Sequence, residues 1–155
     1  MLPQRYKVVS LFSGAMGLDI GLEKTGRFEV DACVEKQKAF AESIEANKKA
    51  GRLLGRPEVF HRDINQLEPA ELMAAVGLKP GELDVLVGGP PCQSFSTAGK
   101  RGTVQDHRGT LLWQFLRFVE ALGPKFLLME KVRGLSAVAL RHAVGTLCPK
   151  CLLPC

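Results

Sequence analysis

Tyr6-Lys7-Val8-Val9-Ser10-Leu11-Phe12 runs directly into Ser13-Gly14, and Ala15 to Lys24 follows without a proline. A short apolar run with β-branched residues, stopped by a glycine, predicts a buried strand. The stretch behind it reads as a helix. The same alternation repeats outward from this junction. Phe28 to Val34 reads as a second strand, Gln37 to Lys49 as a helix, Pro57 to His61 as a third strand and Glu68 to Val76 as a helix. Leu83 to Val87 is a fourth strand, cut off by Gly88-Gly89-Pro90-Pro91. Thr110 to Leu122 is helical, and Lys125 to Met129 is a fifth, buried strand. Strands and helices in alternation require crossover connections and therefore a parallel sheet. The expected architecture is an open α/β sheet of the Rossmann-like kind, mostly parallel, with helices on both faces.

Composition narrows the function classes. The chain has 155 residues, 46% hydrophobic and 24% charged, which fits one globular domain and excludes a disordered chain. A net charge of +5 is a mild basic excess that suits a nucleic-acid partner and equally a solvated basic surface. Five cysteines, an odd number, with no secretory leader, argue for a reducing, cytoplasmic compartment rather than a disulfide framework. No apolar run approaches the roughly 20 residues of a membrane span, so no membrane association is expected.

In open α/β sheets, ligands bind beyond the carboxyl ends of the strands. The residues there are Ser13-Gly14, Glu35, Asp63, Gly88 to Cys92 and Glu130. The turn Phe12-Ser13-Gly14-Ala15-Met16-Gly17 offers glycines that let a ligand approach the backbone and helix amides that favour an anion. The same turn is equally a tight strand-to-helix connection. Glu35, about 20 residues past the glycines, stands where an acid accepts hydrogen bonds from ribose hydroxyls. Asp63 is placed to accept from an adenine amino group or, more simply, to cap a turn with Asn65. Cys92, behind two glycines and two prolines and among polar loop residues, reads as an exposed thiol acting as nucleophile or ligand. Glu130, at the end of the fifth strand, is a candidate proton donor, with an ion pair to Lys131 or Arg133 as the plainer alternative. Trp113, Phe115 and Phe118 lie at helical spacing and are assigned to the core. The tail cysteines Cys148, Cys151 and Cys155 have metal-like spacing, but with His142 as the nearest fourth ligand they fall short of paired zinc ligands, so no metal is expected.

Taken in order, these motifs resemble the DNA cytosine-C5 methyltransferase family from about Val8 to Leu135. The resemblance implies that Phe12, Ser13, Gly14 and Gly17, with Glu35, Asp63, Ile64 and Pro90, hold S-adenosylmethionine. Pro90-Pro91-Cys92-Gln93-Ser94-Phe95-Ser96 resembles the catalytic loop, with Cys92 as nucleophile. Glu130-Lys131-Val132 resembles the family's Glu-Asn-Val motif, with Glu130 as the catalytic carboxyl. Pro91, Gln93, Ser94, Lys100, Arg101 and Arg108 are then expected to face the substrate, a cytosine flipped out of double-stranded DNA.

Lys131 departs from the family pattern, placing a cation where a neutral Asn is usual. After about Arg141 the resemblance stops. The expected organisation is a partial cofactor-binding and catalytic domain over residues 1–141 and an atypical tail over 142–155, with the target-recognition domain absent. Such a chain is expected to be truncated or split, with a second chain carrying the recognition region, and nucleoid-associated if bacterial. Two alternatives share much of the pattern: a fragment of a transfer-RNA cytosine-C5 methyltransferase, and a non-catalytic remnant that binds the cofactor or a partner.

Overall fold

The computed structural model describes residues 4–91 and 111–130. Five parallel strands form one sheet: β1 (Tyr6–Leu11), β2 (Phe28–Glu35), β3 (Glu58–His61), β4 (Val85–Gly88) and β5 (Phe126–Met129). Their order is β3-β2-β1-β4-β5. The chain winds outward from β1 through β2 to β3, then returns to the other side of β1. The point where the winding reverses lies between β1 and β4, and crevices form there at the carboxyl edge. The connecting helices are α1 (Gly17–Glu23), α2 (Lys38–Lys49), α3 (Pro69–Val76) and α4 (Leu111–Leu122), with a short 3₁₀ turn at Ile64–Gln66 that sequence reading did not anticipate.

Both faces of the sheet are covered. Val9, Leu11, Ala32, Val34 and Leu86 pack with Leu72 of α3 and with Phe115, Phe118 and Leu122 of α4. Val8, Val30, Cys33, Val85 and Val87 pack with Met16, Ile44 of α2 and Leu53. Strand side chains alternate between these two cores, as the pleat demands. One irregularity corrects the pattern: Val8 pairs with Val30 but Val9 with Ala32, so β2 carries an extra residue at Asp31. The bulge sends Val30 and Ala32, two residues apart, to opposite cores.

The expected elements are present with small shifts at their ends. The first helix begins at Gly17 rather than Ala15, because Met16 adopts a left-handed backbone with φ 62°. The fifth strand is a correction of another kind. It was expected to be buried, yet Phe126 is 70% and Leu127 51% exposed. Among the described strands, β5 pairs only with β4 and forms the edge of the sheet.

Helix α1 buries an unusual face. Its innermost positions are Met16, Asp19 and Glu23, a stripe at helical spacing that carries two carboxyls. Their surroundings differ sharply. Glu23 Oε1 accepts hydrogen bonds from the backbone N–H of Gly55 (3.0 Å) and Val30 (3.3 Å), and Oε2 accepts from Leu54 N–H (2.9 Å). That one side chain ties α1 to β2 and to the loop entering β3. Among the described residues, Asp19 has no well-formed hydrogen bond at either oxygen. Burial raises its pKa to about 6, partly offset by the nearby Ser10 hydroxyl and reinforced by the charge of Glu23.

Opposite stability effects follow for the two carboxyls. Glu23→Ala leaves buried backbone donors unpaired and should cost on the order of 3 kcal/mol in urea denaturation, with a smaller loss for Glu23→Gln. Asp19 takes up its proton more readily folded than unfolded, so its favourable contribution is complete below pH 3.8 and is lost as pH rises through about 6. Above that pH the ionised group costs up to about 3 kcal/mol. Asp19→Asn should therefore be more stable than the parent chain at pH 8, and the difference should shrink steadily on acidification to pH 4. A constant difference across that range would contradict an uncompensated charge at Asp19.

Candidate functional site

The turn between β1 and α1 is wound tightly. Phe12 (φ 58°), Gly14 (φ 53°) and Met16 (φ 62°) all lie in the left-handed region, which is costly for a bulky side chain such as Phe12. Hydrogen bonds hold the strained loop. Ser13 N–H donates to Val34 O (3.2 Å), and Met16 N–H donates to Ser13 O (2.8 Å). The Ser13 hydroxyl reaches Ser10 O (3.1 Å) and Ser10 Oγ (3.0 Å).

Glu35 completes the turn from the neighbouring strand. Its Oε2 accepts from Gly14 N–H (2.8 Å) and its Oε1 from Gln37 N–H (2.7 Å). The side chain is buried, yet each oxygen retains a lone pair for a further donor. The β1–α1 and β2–α2 turns are thus locked together through one carboxylate.

On the other side of β1, β4 approaches closely at its last residue. A Cβ at Gly88 would fall 2.5 Å from Leu11 O and 3.0 Å from the Phe115 ring, so only glycine fits. Between the two strand ends and α1 lies a cavity of about 220 Å³. Ser10, Phe12, Ser13 and Gly14 line it from β1 and the turn, and Gly17, Leu18 and Asp19 from α1. Gly88, Gly89 and Glu130 close the far side. Beyond the adjoining backbone, a Cβ at Gly14 or Gly17 would meet no atom of the described residues within 4 Å, so the backbone there is bare toward open space.

The cavity therefore brings together Phe12, Ser13, Gly14, Gly17 and Glu130, with Glu35 directly behind Gly14. Asp63 stands one strand further out. Its Oδ1 accepts from Asn65 N–H (3.0 Å) and Asn65 Nδ2 (2.7 Å), which is the turn-capping role weighed from sequence. Its Oδ2 lies 2.7 Å from Lys36 Nζ, and this cation together with the Asn65 amide holds its pKa below the usual value. Arg117 of α4 fixes the same turn by donating to Ile64 O (2.9 Å) and Leu67 O (2.6 Å). Ile64 is buried in the core on the α3–α4 side. Pro90 is buried and Pro91 exposed. Cys92, Gln93, Ser94, Lys100, Arg101, Arg108 and Lys131 lie outside the described residues.

Sequence reading missed Ser10, Leu18 and Asp19 as members of this site. A signal existed for Asp19. It shares a helical stripe with Met16 and Glu23, so a buried Met16 turns it inward as well.

The family model described as C-5 cytosine-specific DNA methylase matches residues 6–150. The type II methyltransferase M.AquIA of Picosynechococcus is 39% identical over 129 residues, which is 83% of this chain and 49% of the relative. M.FnuDI of Fusobacterium nucleatum is 38% identical over 89% of this chain and 36% of its own length. The chain thus spans half or less of these relatives. In fold it is similar to a mutant of Spodoptera frugiperda DNMT2, with TM-score 0.59 and 23% identity over 88% of this chain and 38% of that one. The PH0226 protein of Pyrococcus horikoshii gives TM-score 0.52 and 17% identity over 83% of this chain and 50% of that one. Both structural likenesses speak to the Rossmann-like fold alone. The family match over most of the sequence carries the assignment: the chain belongs to the C-5 cytosine-specific DNA methylase family.

Proposed function

We propose that this chain forms the cofactor-binding and nucleophile-bearing part of an enzyme that methylates C5 of cytosine in double-stranded DNA. The observation that carries the reading is the cavity at the β1–β4 reversal point, with Glu35 behind its glycine turn and Glu130 across from it. S-adenosylmethionine fits what is there. Glu35 retains acceptor capacity for ribose hydroxyls, the bare backbone at Gly14 and Gly17 leaves room for a ligand, and Asp19 presents a buried carboxylate with no partner. Phe12, Ser13 and Pro90 complete the set that would hold the cofactor, with Asp63 and Ile64 at its adenine end. The DNA reading is preferred to the transfer-RNA one because the matched family is described by DNA and the relatives are type II methyltransferases.

Each residue then has a task. S-adenosylmethionine, when bound, supplies an electrophilic methyl group. Cytosine C5 is too weak a nucleophile to accept it unaided, so the Cys92 thiolate adds to C6 and makes C5 electron-rich. Glu130 hydrogen-bonds the N3 and amino edge, which offsets the charge that develops on the ring. Once C5 carries the methyl group, loss of its proton to a solvent base expels the Cys92 thiolate and restores the aromatic ring. The target atom is out of reach inside a duplex, so the base must leave the stack. Lys100, Arg101 and Arg108, with Pro91, Gln93 and Ser94, would close over the extruded nucleotide and its phosphates.

Two measurements test this assignment. Calorimetric titration should detect S-adenosylhomocysteine binding to the chain, weakened at least about tenfold when Glu35 and Asp63 are both replaced by Ala, since charged hydrogen bonds are lost. Unchanged affinity in that double variant would sink the cofactor assignment. Separately, DNA containing 5-fluorocytosine should trap a covalent adduct, because fluorine cannot leave as a proton does. Peptide mapping should place the adduct on Cys92, and an adduct that persists in Cys92→Ser would contradict the mechanism.

A further inference from the structure

Asp19 is 1% exposed and lines the cavity, and among the described residues neither carboxyl oxygen accepts a well-formed hydrogen bond. Buried carboxylates are normally paired, because an ion without partners in a low-dielectric setting is expensive. Glu23, one helical turn away on the same stripe, obeys that rule with three backbone donors. Among the described residues no backbone donor satisfies Asp19 in the same way. Ser10 Oγ accepts from Ser13 Oγ, which leaves its own proton free to face Asp19 and favour its charge, but one hydroxyl proton cannot serve both carboxylate oxygens. Behind Asp19 is Cys33, also buried, whose thiol is pushed up chiefly by burial and further by the Asp19 charge; Lys48 of α2 acts on Cys33 but is not among the groups that act on Asp19. Glu130, across the cavity, is another acid. Among the described residues no cation acts on the Asp19 charge, and the cavity that Asp19 lines is the open route for a partner.

We infer that Asp19 is the counter-ion for the α-ammonium group of the amino-acid arm of S-adenosylmethionine. This rests on the cofactor reading above and adds to it a residue and a direction. The ribose acid Glu35 sits behind Gly14 on the β2 side. Asp19 and Ser10 lie further in, along α1 and β1. A cofactor anchored at Glu35 by its ribose therefore directs its amino-acid arm toward Asp19. An ammonium there pairs with the orphaned carboxylate and removes the cost of burying it. The ammonium rather than the sulfonium is assigned because it can donate hydrogen bonds to both oxygens, whereas a sulfonium carries no N–H or O–H donor.

Three ligands separate the possibilities: S-adenosylmethionine, S-adenosylhomocysteine, which keeps the ammonium but has no sulfonium, and 5′-deoxy-5′-methylthioadenosine, which has neither. In calorimetric titrations at pH 8, Asp19→Asn should weaken both amino-acid-bearing ligands by the same factor, about ten- to a hundredfold for one charged hydrogen-bonded contact. It should leave 5′-deoxy-5′-methylthioadenosine unchanged, which also reports that the variant is folded. In the parent chain, affinity for S-adenosylhomocysteine should fall as pH drops through about 6, where Asp19 takes up its proton, and the Asn variant should lack that dependence. Failure of the parent chain to bind any of the three overturns the cofactor reading itself. Binding by the parent chain with equal affinity in Asp19→Asn overturns only the role of Asp19. So does a loss for 5′-deoxy-5′-methylthioadenosine as large as the others, or a loss confined to S-adenosylmethionine, which would indicate pairing with the sulfonium.

Discussion

The Glu35 carboxylate joins the two turns on which the site depends. One oxygen takes the Gly14 N–H and the other the Gln37 N–H, so the end of β1 and the end of β2 are held at a fixed separation. Without that tie the β1–α1 turn would have little reason to keep three left-handed residues within five, since each costs backbone energy outside glycine. The strain has a use. It opens the backbone at Gly14 and turns α1 so that Asp19 lies beside Ser10 at the cavity wall. On the far side, the close contact of β4 with β1 at Gly88 sets the width of the crevice.

Helix α1 shows how a site and a fold share one short element. Only Gly17–Glu23 is helical, so its buried stripe offers few positions. Met16 fills the apolar core, Glu23 ties the helix to β2 and the loop before β3, and Asp19 faces the cavity. The first two contribute to stability and the third detracts from it. A local deficit at a ligand site, offset elsewhere in the fold, is the usual mark of a binding residue kept for its chemistry.

Much of this was legible in the amino-acid sequence. A run such as Val85 to Val87 could be read as a strand because both faces of a parallel sheet are buried, which leaves no polar alternation. The carboxyl-end rule selected Glu35 and Glu130 before any geometry was known. Other features were not legible. Asp19 sits among Leu18, Ile20 and Leu22, so its place on the stripe of Met16 and Glu23 points inward only once Met16, and not the leucine side, is known to be buried. The bulge at Asp31 leaves no composition signal, since it depends on pairing with β1. The exposure of Phe126 and Leu127 runs against their apolar character, because burial depends on neighbouring strands and not on the strand itself. Asp63 could be read either as an adenine contact or as a cap, and a single carboxylate in a turn gives no means of choosing.

The central claim is that one crevice, between β1 and β4, holds the cofactor with its ribose on Glu35. A crystal structure of this chain grown with S-adenosylhomocysteine tests it most directly. The account predicts ligand density in that crevice, with ribose hydroxyls within hydrogen-bond distance of the Glu35 carboxylate while the Gly14 N–H bond is retained. Density on another surface, or a Glu35 side chain turned away from a ligand lying in the crevice, would contradict it.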